Sequence, residues 1–370
     1  MNMASPLERL PGEVVIHLMR SFYSPVDLRS FISASPIFLQ WFRTYRQSAL
    51  KPIIELLKAV YQDETLPREA IRAVQMRLQA HLFPYLDPYE VEGRMARMTL
   101  SKPPSEKEWS GSLPFLCELF SQRQDADALI SEYAVDAWNK LLGEARVRAE
   151  RDSSFTWLPE FDQPLVLSPS EIIRFEEGFL GFDYLRHSIY HYLGILEGTV
   201  RPEMSRPAWD HRPSVLEGYK DPRWCLRSFH SVFHFVFGKY RELIRRVDRE
   251  LREREIANGG KNIRVCQFLQ WTTYQEHSCV IFLCIQDYTL LRNLRPMDQA
   301  HVRHFILTSF LWIVLRDATG YLTLEDSFMR DIDQHGLLTE SPRKPIHEPW
   351  TRARYFWDGE RMGKIYGNQR

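Results

Sequence analysis

The chain is predicted to be all-α, and three observations predict it. Apolar residues recur at spacings of three and four along most of the 370 residues, the mark of amphipathic helices. No stretch alternates apolar and polar residues as a half-buried strand would. Helix-start signals recur as Ser-Pro steps, at Ser24-Pro25, Ser35-Pro36 and Ser168-Pro169, where serine can cap and proline suits the first turn. No self-similar period of solenoid or propeller length is present. Trp209-Asp210 and Trp357-Asp358 are isolated dipeptides.

The opening stretch, Leu7 to Leu50, reads as three short helices. Pro11 opens the first, and Val14, Val15, Leu18 and Met19 give it an apolar stripe. Ser24, Pro25 and Asp27 start the second, with the carboxylate near the positive helix end. Ser35-Pro36 starts the third, which carries Phe38, Trp41, Phe42 and Tyr45. So small a unit buries too little area to be secure alone, so it is expected to lean on the rest of the chain or on a partner.

Beyond it, Pro52–Tyr61 and Pro67–Leu82 are expected to be amphipathic helices, and Ser101–Ser112 a linker. Asp125–Arg151 is a strong helical pattern. Ser168 and Glu171 form a capping box, with helical patterns continuing through Phe182–Leu196. A proline-rich loop covers Arg201–Ser214. Trp224–Ala257 reads as one long helix whose charged second half suits a solvated face laced with ion pairs four residues apart. Val265–Leu294 and Met297–Thr319 are apolar-rich helices separated by Arg295-Pro296, and a short helix is expected near Leu324–Asp333. The expected organisation is a module over residues 1–50, a larger irregular helical domain over 51–340, and an aromatic, basic tail over 341–370.

Composition limits the function. Apolar residues make up 44% and charged residues 26%, which places the chain among globular proteins. Lys plus Arg and Asp plus Glu balance at 48 each, so net charge gives no reason to expect nucleic acid or an anionic membrane. The start has no apolar run fit for a signal peptide. The apolar run Phe305–Leu315 is well short of the ~20 residues a membrane helix needs. Five cysteines without a Cys-x-x-Cys pair read as reduced thiols in the cytoplasm or nucleus.

On Leu10-Pro11 with Glu13, Asp27-Leu28 and Ala34-Ser35-Pro36, Leu7–Leu50 resembles an F-box, in the form common among fungal F-box proteins. Where many F-boxes carry a Cys-x-x-Trp-type segment, this chain has "ASPIFLQWF". No leucine-rich, kelch or WD repeat follows. The resemblance implies a three-helix module that docks on a Skp-type adaptor and, through it, on a cullin–RING ubiquitin ligase. The remainder would present a protein substrate. Leu7, Leu10 and Pro11 would then lie where the family contacts its adaptor. Ile16, Leu28 and Ile32 are candidates either for further contacts or for the module's own core. The alternative is an F-box-derived helical scaffold that meets no ligase.

An enzyme reading is weaker. His187 and His191 lie four apart, as do His230 and His234, so each pair shares a helix face and two such pairs could supply zinc ligands. Neither pair has the Glu of the His-Glu-x-x-His form, and the flanking Tyr190, Tyr192, Phe233 and Phe235 suit packing. Cys279 and Cys284 near Glu276 and His277 could form a Cys–His pair, but buried thiols fit the apolar context better. Asp331–Gly336 starts like a calcium loop, yet Pro342 stands where its closing Glu is needed. No phosphate-binding or nucleophile-elbow signature occurs. A non-catalytic protein with no cofactor is expected. In the tail, rings interleaved with Arg and Lys could bind single-stranded nucleic acid, but packing onto the body is the favoured expectation.

Overall fold

The helices start where the sequence places small polar caps. The computed structural model describes residues 10–61, 68–80, 102–152, 155–189, 222–258, 288–315 and 352–366, with short pieces between 90 and 98 and between 265 and 284. Among these residues all regular structure is helical and no strand occurs. Helix α1 is Gly12–Arg20 and α2 is Pro25–Ser33. The Ser24 hydroxyl caps α2 by accepting from the Asp27 N–H at 3.3 Å. Ser35 does the same for α3, Pro36–Val60, accepting from Ile37 N–H at 3.2 Å. Helix α3 bends at Tyr45 (φ −114°, ψ 24°) and runs on through Pro52.

That continuity corrects the expected boundary at residue 50, which falls inside a helix. A proline within a helix removes one hydrogen bond and crowds the preceding turn. Here Ala49, Leu50, Ile53 and Leu57 are buried at helical spacing on both sides of Pro52, and their burial holds the helix together across it.

Helix α4 is Arg68–Ala80. The expected linker holds a short helix, α5, Glu106–Ser110. The Glu108 carboxylate accepts from the Ser105 N–H at 2.6 Å and from its hydroxyl at 2.8 Å, and Trp109 anchors the turn in the core. These hydrogen bonds, led by the Ser105 hydroxyl, hold the Glu108 carboxyl below the usual range. Helix α6, Leu113–Arg151, begins a dozen residues before the expected Asp125, capped by Ser112 on Phe115 N–H. A short 3-10 turn follows at Pro159–Asp162. Helix α7, Pro169–Ile189, opens on the expected capping box. Ser168 N–H donates to Glu171 Oε2 at 3.0 Å, and Glu171 N–H donates to Ser168 Oγ at 3.2 Å.

Helix α8 is Pro222–Asn258, and its charged half carries the expected pairs, Arg252–Asp248 at 2.9 Å and Arg254–Glu250 at 2.7 Å. Helices α9, Tyr288–Leu294, and α10, Gln299–Leu315, follow. Asp298 caps α10 by accepting from Ala300 and His301 N–H at 2.9 and 3.1 Å. Helix α11 is Gly359–Tyr366. Leu7, the proline-rich loop, the helix expected near Leu324–Asp333 and the calcium-like stretch lie outside the described residues.

Two apolar clusters form the core. The smaller joins Val15, Met19, Leu28, Ile32, Phe38 and Phe42 of α1–α3 to Leu113, Leu116 and Leu119 of α6 and to Ala70, Ile71 and Val74 of α4. The larger centres on Tyr133, Trp138, Phe175, Phe179 and Phe235 of α6, α7 and α8. Helix α6 runs through both, so the opening unit and the larger body share a core element. The opening unit packs against the rest of its own chain through α4 and α6.

The C-terminal residues 352–366 belong to the larger core and are not an appended tail. Phe356 stacks on Phe175 with ring centroids 4.7 Å apart, and Trp357 lies 5.8 Å from Trp138. Between the clusters runs a buried charged seam. The Asp183 carboxylate on α7 accepts from Arg77 Nε of α4 at 2.7 Å and from Gln122 of α6 and Arg186 at 2.9 Å each. Asp183 is thus held from two other helices by Arg77 and Gln122 and from within α7 by Arg186, the kind of pairing that makes burial of an ion tolerable.

Candidate docking face

Although α4 and α6 pack against α1–α3, several apolar side chains of this unit remain in water. Pro11 and Val14 are exposed on α1, Val26 on α2, and Ile37, Leu39 and Tyr45 on α3. Tyr23, in the α1–α2 turn, is 72% exposed. Ile37, Trp41 and Tyr45 are spaced by four along α3, which stacks them on one helix side. Trp41 and Tyr45 stack with centroids 5.8 Å apart. The Trp41 indole also roofs the start of α1. A Cβ built on Gly12 would lie 2.3 Å from its ring, so the absent side chain lets the indole seat beside Pro11. Phe22, Phe31 and Phe38 form a second aromatic run, with centroids 5.3 and 4.4 Å apart, reaching from partial exposure into the core.

Single exposed apolar residues are ordinary, whereas a concentration on one small element group marks a contact surface. On α1–α3 Arg20, Arg43 and Arg46 are exposed beside the exposed acids Glu13 and Asp27, Lys51 pairs with the exposed Glu55 at 3.8 Å, and Arg29 reaches Cys117 of α6.

The six residues singled out from the sequence divide. Pro11 is exposed, while Leu10 and Ile16 are half-buried at the margin of the face. Leu28 and Ile32 are buried in the smaller core, at 0% and 6% exposure. Of the two roles left open for them, core packing is the one they occupy. Leu7 lies outside the described residues. Sequence reading passed over Tyr23, Val26, Ile37 and Leu39. Their signal was available as apolar residues off the core stripe of their helices, flanking buried Leu28, Ile32, Phe38 and Phe42.

The other chemistries find little support. His230 is buried beside Phe229, and His234 is half-buried beside Phe233. His191 and the His187 side chain lie outside the described residues. Among those residues no group of three or more His, Cys, Asp or Glu side chains is placed to hold a metal. Cys279 and Cys284 are buried, and burial pushes the Cys279 thiol up to about 12 and raises Cys284 well above its ordinary value. Such thiols stay protonated at neutral pH and make poor nucleophiles. In the C-terminal segment Phe356 and Trp357 are buried, so neither ring can stack on a base, and Arg361 pairs with Glu171 at 2.7 Å. An open cleft of about 590 Å³ lies beside α6, lined by Lys140, Glu144, Arg148, Arg151 and Arg352. Two of its cations are already engaged, Arg352 by Glu144 and Arg148 by the Tyr366 carbonyl at 2.8 Å. No helix among the described residues is long and apolar enough to cross a membrane.

No family model matches the chain, and neither a curated protein nor a solved structure matches it. The class that fold and site define is an all-α protein with exposed apolar side chains concentrated on its first three helices.

Proposed function

We propose that this chain is a non-catalytic, F-box-type adaptor. In this reading α1–α3 dock a Skp-type adaptor and thereby a cullin–RING ubiquitin ligase, and the larger helical body holds a protein substrate. One observation carries it. The helices that bear the F-box resemblance also bear the concentration of exposed apolar side chains, from Pro11 and Val14 to Ile37 and Tyr45. Burying such side chains against a partner is favourable by about 25 cal/mol per Å² of apolar surface, less the cost of association.

The test is co-purification of the full chain with a Skp-type adaptor, beside Leu10→Ala/Pro11→Ala and Val14→Asp variants checked by circular dichroism. Val14 is exposed, so Val14→Asp leaves the core intact while placing a charge on the face. Binding by the wild type and its loss in both folded variants supports the reading. A folded wild type that does not bind removes it.

The scaffold alternative has its own observation. Leu28, Ile32 and Phe42 are buried with Leu113, Leu116 and Leu119 of α6 in one cluster, so the module is completed within the chain and needs no partner to fold. Failure of the co-purification would leave that reading standing.

A further inference from the structure

The proline-marked serine at the start of α7 does more than cap a helix. The Ser168 hydroxyl donates to the Asp358 carboxylate, 190 residues along the chain. Ser170 Oγ donates to the other oxygen of the same carboxylate at 2.8 Å. Arg174 pairs with Asp358 and also donates to the Phe356 carbonyl at 2.9 Å. Arg361 and the Asp358 N–H both bind Glu171, at 2.7 and 3.0 Å. These contacts latch residues 352–366 onto the body, over the aromatic layer that Phe356 and Trp357 complete.

We propose that Ser168 is a phosphorylation site of the proline-directed kind, and that its modification releases the C-terminal segment. Access favours Ser168. It precedes Pro169, which holds the preceding backbone extended, and residues 164–168 form no helix. Val166 is 76% exposed, and Pro169 and Ser170 are exposed as well. An enzyme that reads an extended Ser-Pro step can engage this stretch. Ser35, by contrast, is buried.

The chemistry is transfer from a nucleoside triphosphate by a protein kinase. Ser168 Oγ attacks the γ-phosphorus, and the bond from that phosphorus to the β,γ-bridging oxygen breaks. The nucleoside diphosphate leaves, and the hydroxyl proton passes to the kinase's base. The product bears close to two negative charges at neutral pH and no longer has the hydroxyl hydrogen it gave to Asp358. Like charge then faces Asp358, and Arg174 is drawn to the phosphate. The start of α7 tolerates the new anion because a helix N-terminus favours negative charge. Helix α7 therefore persists while the segment held through Asp358 is loosened.

The experiment treats the full chain with a purified proline-directed kinase and ATP, maps the phosphate by mass spectrometry, and follows hydrogen exchange. The expected result is phosphate on Ser168, absent in Ser168→Ala. Exchange across 352–366 should be at least about tenfold faster, the scale of one lost charge-assisted hydrogen bond, with α1–α3 unchanged. In phosphorylated Asp358→Asn the amide can donate to the phosphate, so the acceleration should be much smaller. No phosphate on Ser168 of the folded chain overturns the proposal. So does phosphate without faster exchange, or equal acceleration in Asp358→Asn.

Discussion

Leu28 and Val14 sit on neighbouring short helices and face opposite fates. Leu28 has no exposed surface, while Val14 is 41% exposed. Truncating a buried leucine removes transfer energy and leaves a cavity. Leu28→Ala should therefore lower stability by about 2–5 kcal/mol, and Val14→Ala by no more than about 0.5 kcal/mol, both read from urea unfolding midpoints. Equal effects would mean that the face assigned to Val14 is itself core. Gly178 gives a second test at this scale. In mid-helix, alanine normally improves on glycine by about 1 kcal/mol. A Cβ here would lie 2.7 Å from the Phe356 ring, which is itself fully buried. The sign should reverse, with Gly178→Ala destabilising by about 1–3 kcal/mol through overpacking. A rise in thermal midpoint would show that Phe356 can move aside.

At the scale of elements, the link between the start of α7 and the C-terminal segment should respond to acid. The hydroxyl of Ser168, then Arg174 and Ser170, hold the Asp358 carboxyl down, to about 2 from an ordinary 3.8. A carboxyl whose pKa is depressed on folding stabilises fully above its unfolded value and loses that contribution as pH falls through the folded one. The groups that face it are Ser168, Ser170 and Arg174, with Arg361 and the Glu171 carboxylate as neighbours. The stability difference between wild type and Asp358→Asn should thus be largest at neutral pH and shrink between about pH 4 and pH 2. Denaturant curves at pH 6 and pH 3 check it, and a constant difference would mean that Asp358 contributes no ionic contact. Both capping boxes follow one rule, Ser-x-x-Glu, at Ser105–Glu108 and at Ser168–Glu171. The second is legible in the sequence because a long apolar pattern follows it. The first is obscured because α5 is a single turn with one apolar anchor, Trp109. The start of α6 is obscured for a different reason, since Leu113, Phe115, Leu116, Cys117 and Leu119 all enter the smaller core and leave no one-sided stripe.

Over the whole molecule, the shared core forbids cutting the chain at residue 50. Residues 1–61 expressed alone lose Leu113, Leu116, Leu119 and Val74 from their cluster. A fragment that small should be largely unfolded by circular dichroism while the same helices are folded in the full chain. A stably folded fragment would restore the independent module that its resemblance to an F-box implies. The seam at Asp183 ties α4, α6 and α7 together through buried hydrogen bonds, and α4 and α6 are the helices that complete the cluster of α1–α3.

By itself the sequence determined the helical class and most helix starts. Each of these depends on residues within a few positions of one another, where capping hydrogen bonds and the 3.6-residue period act. Tertiary structure alone decided which helices cover α1–α3, that Leu28 and Ile32 serve the core, and which aromatic layer the C-terminal rings enter. Those outcomes depend on contacts between residues up to about two hundred positions apart, such as Ser168 with Asp358. Local propensity carries no information about such contacts, because they form only when separate helices bury their apolar faces against one another.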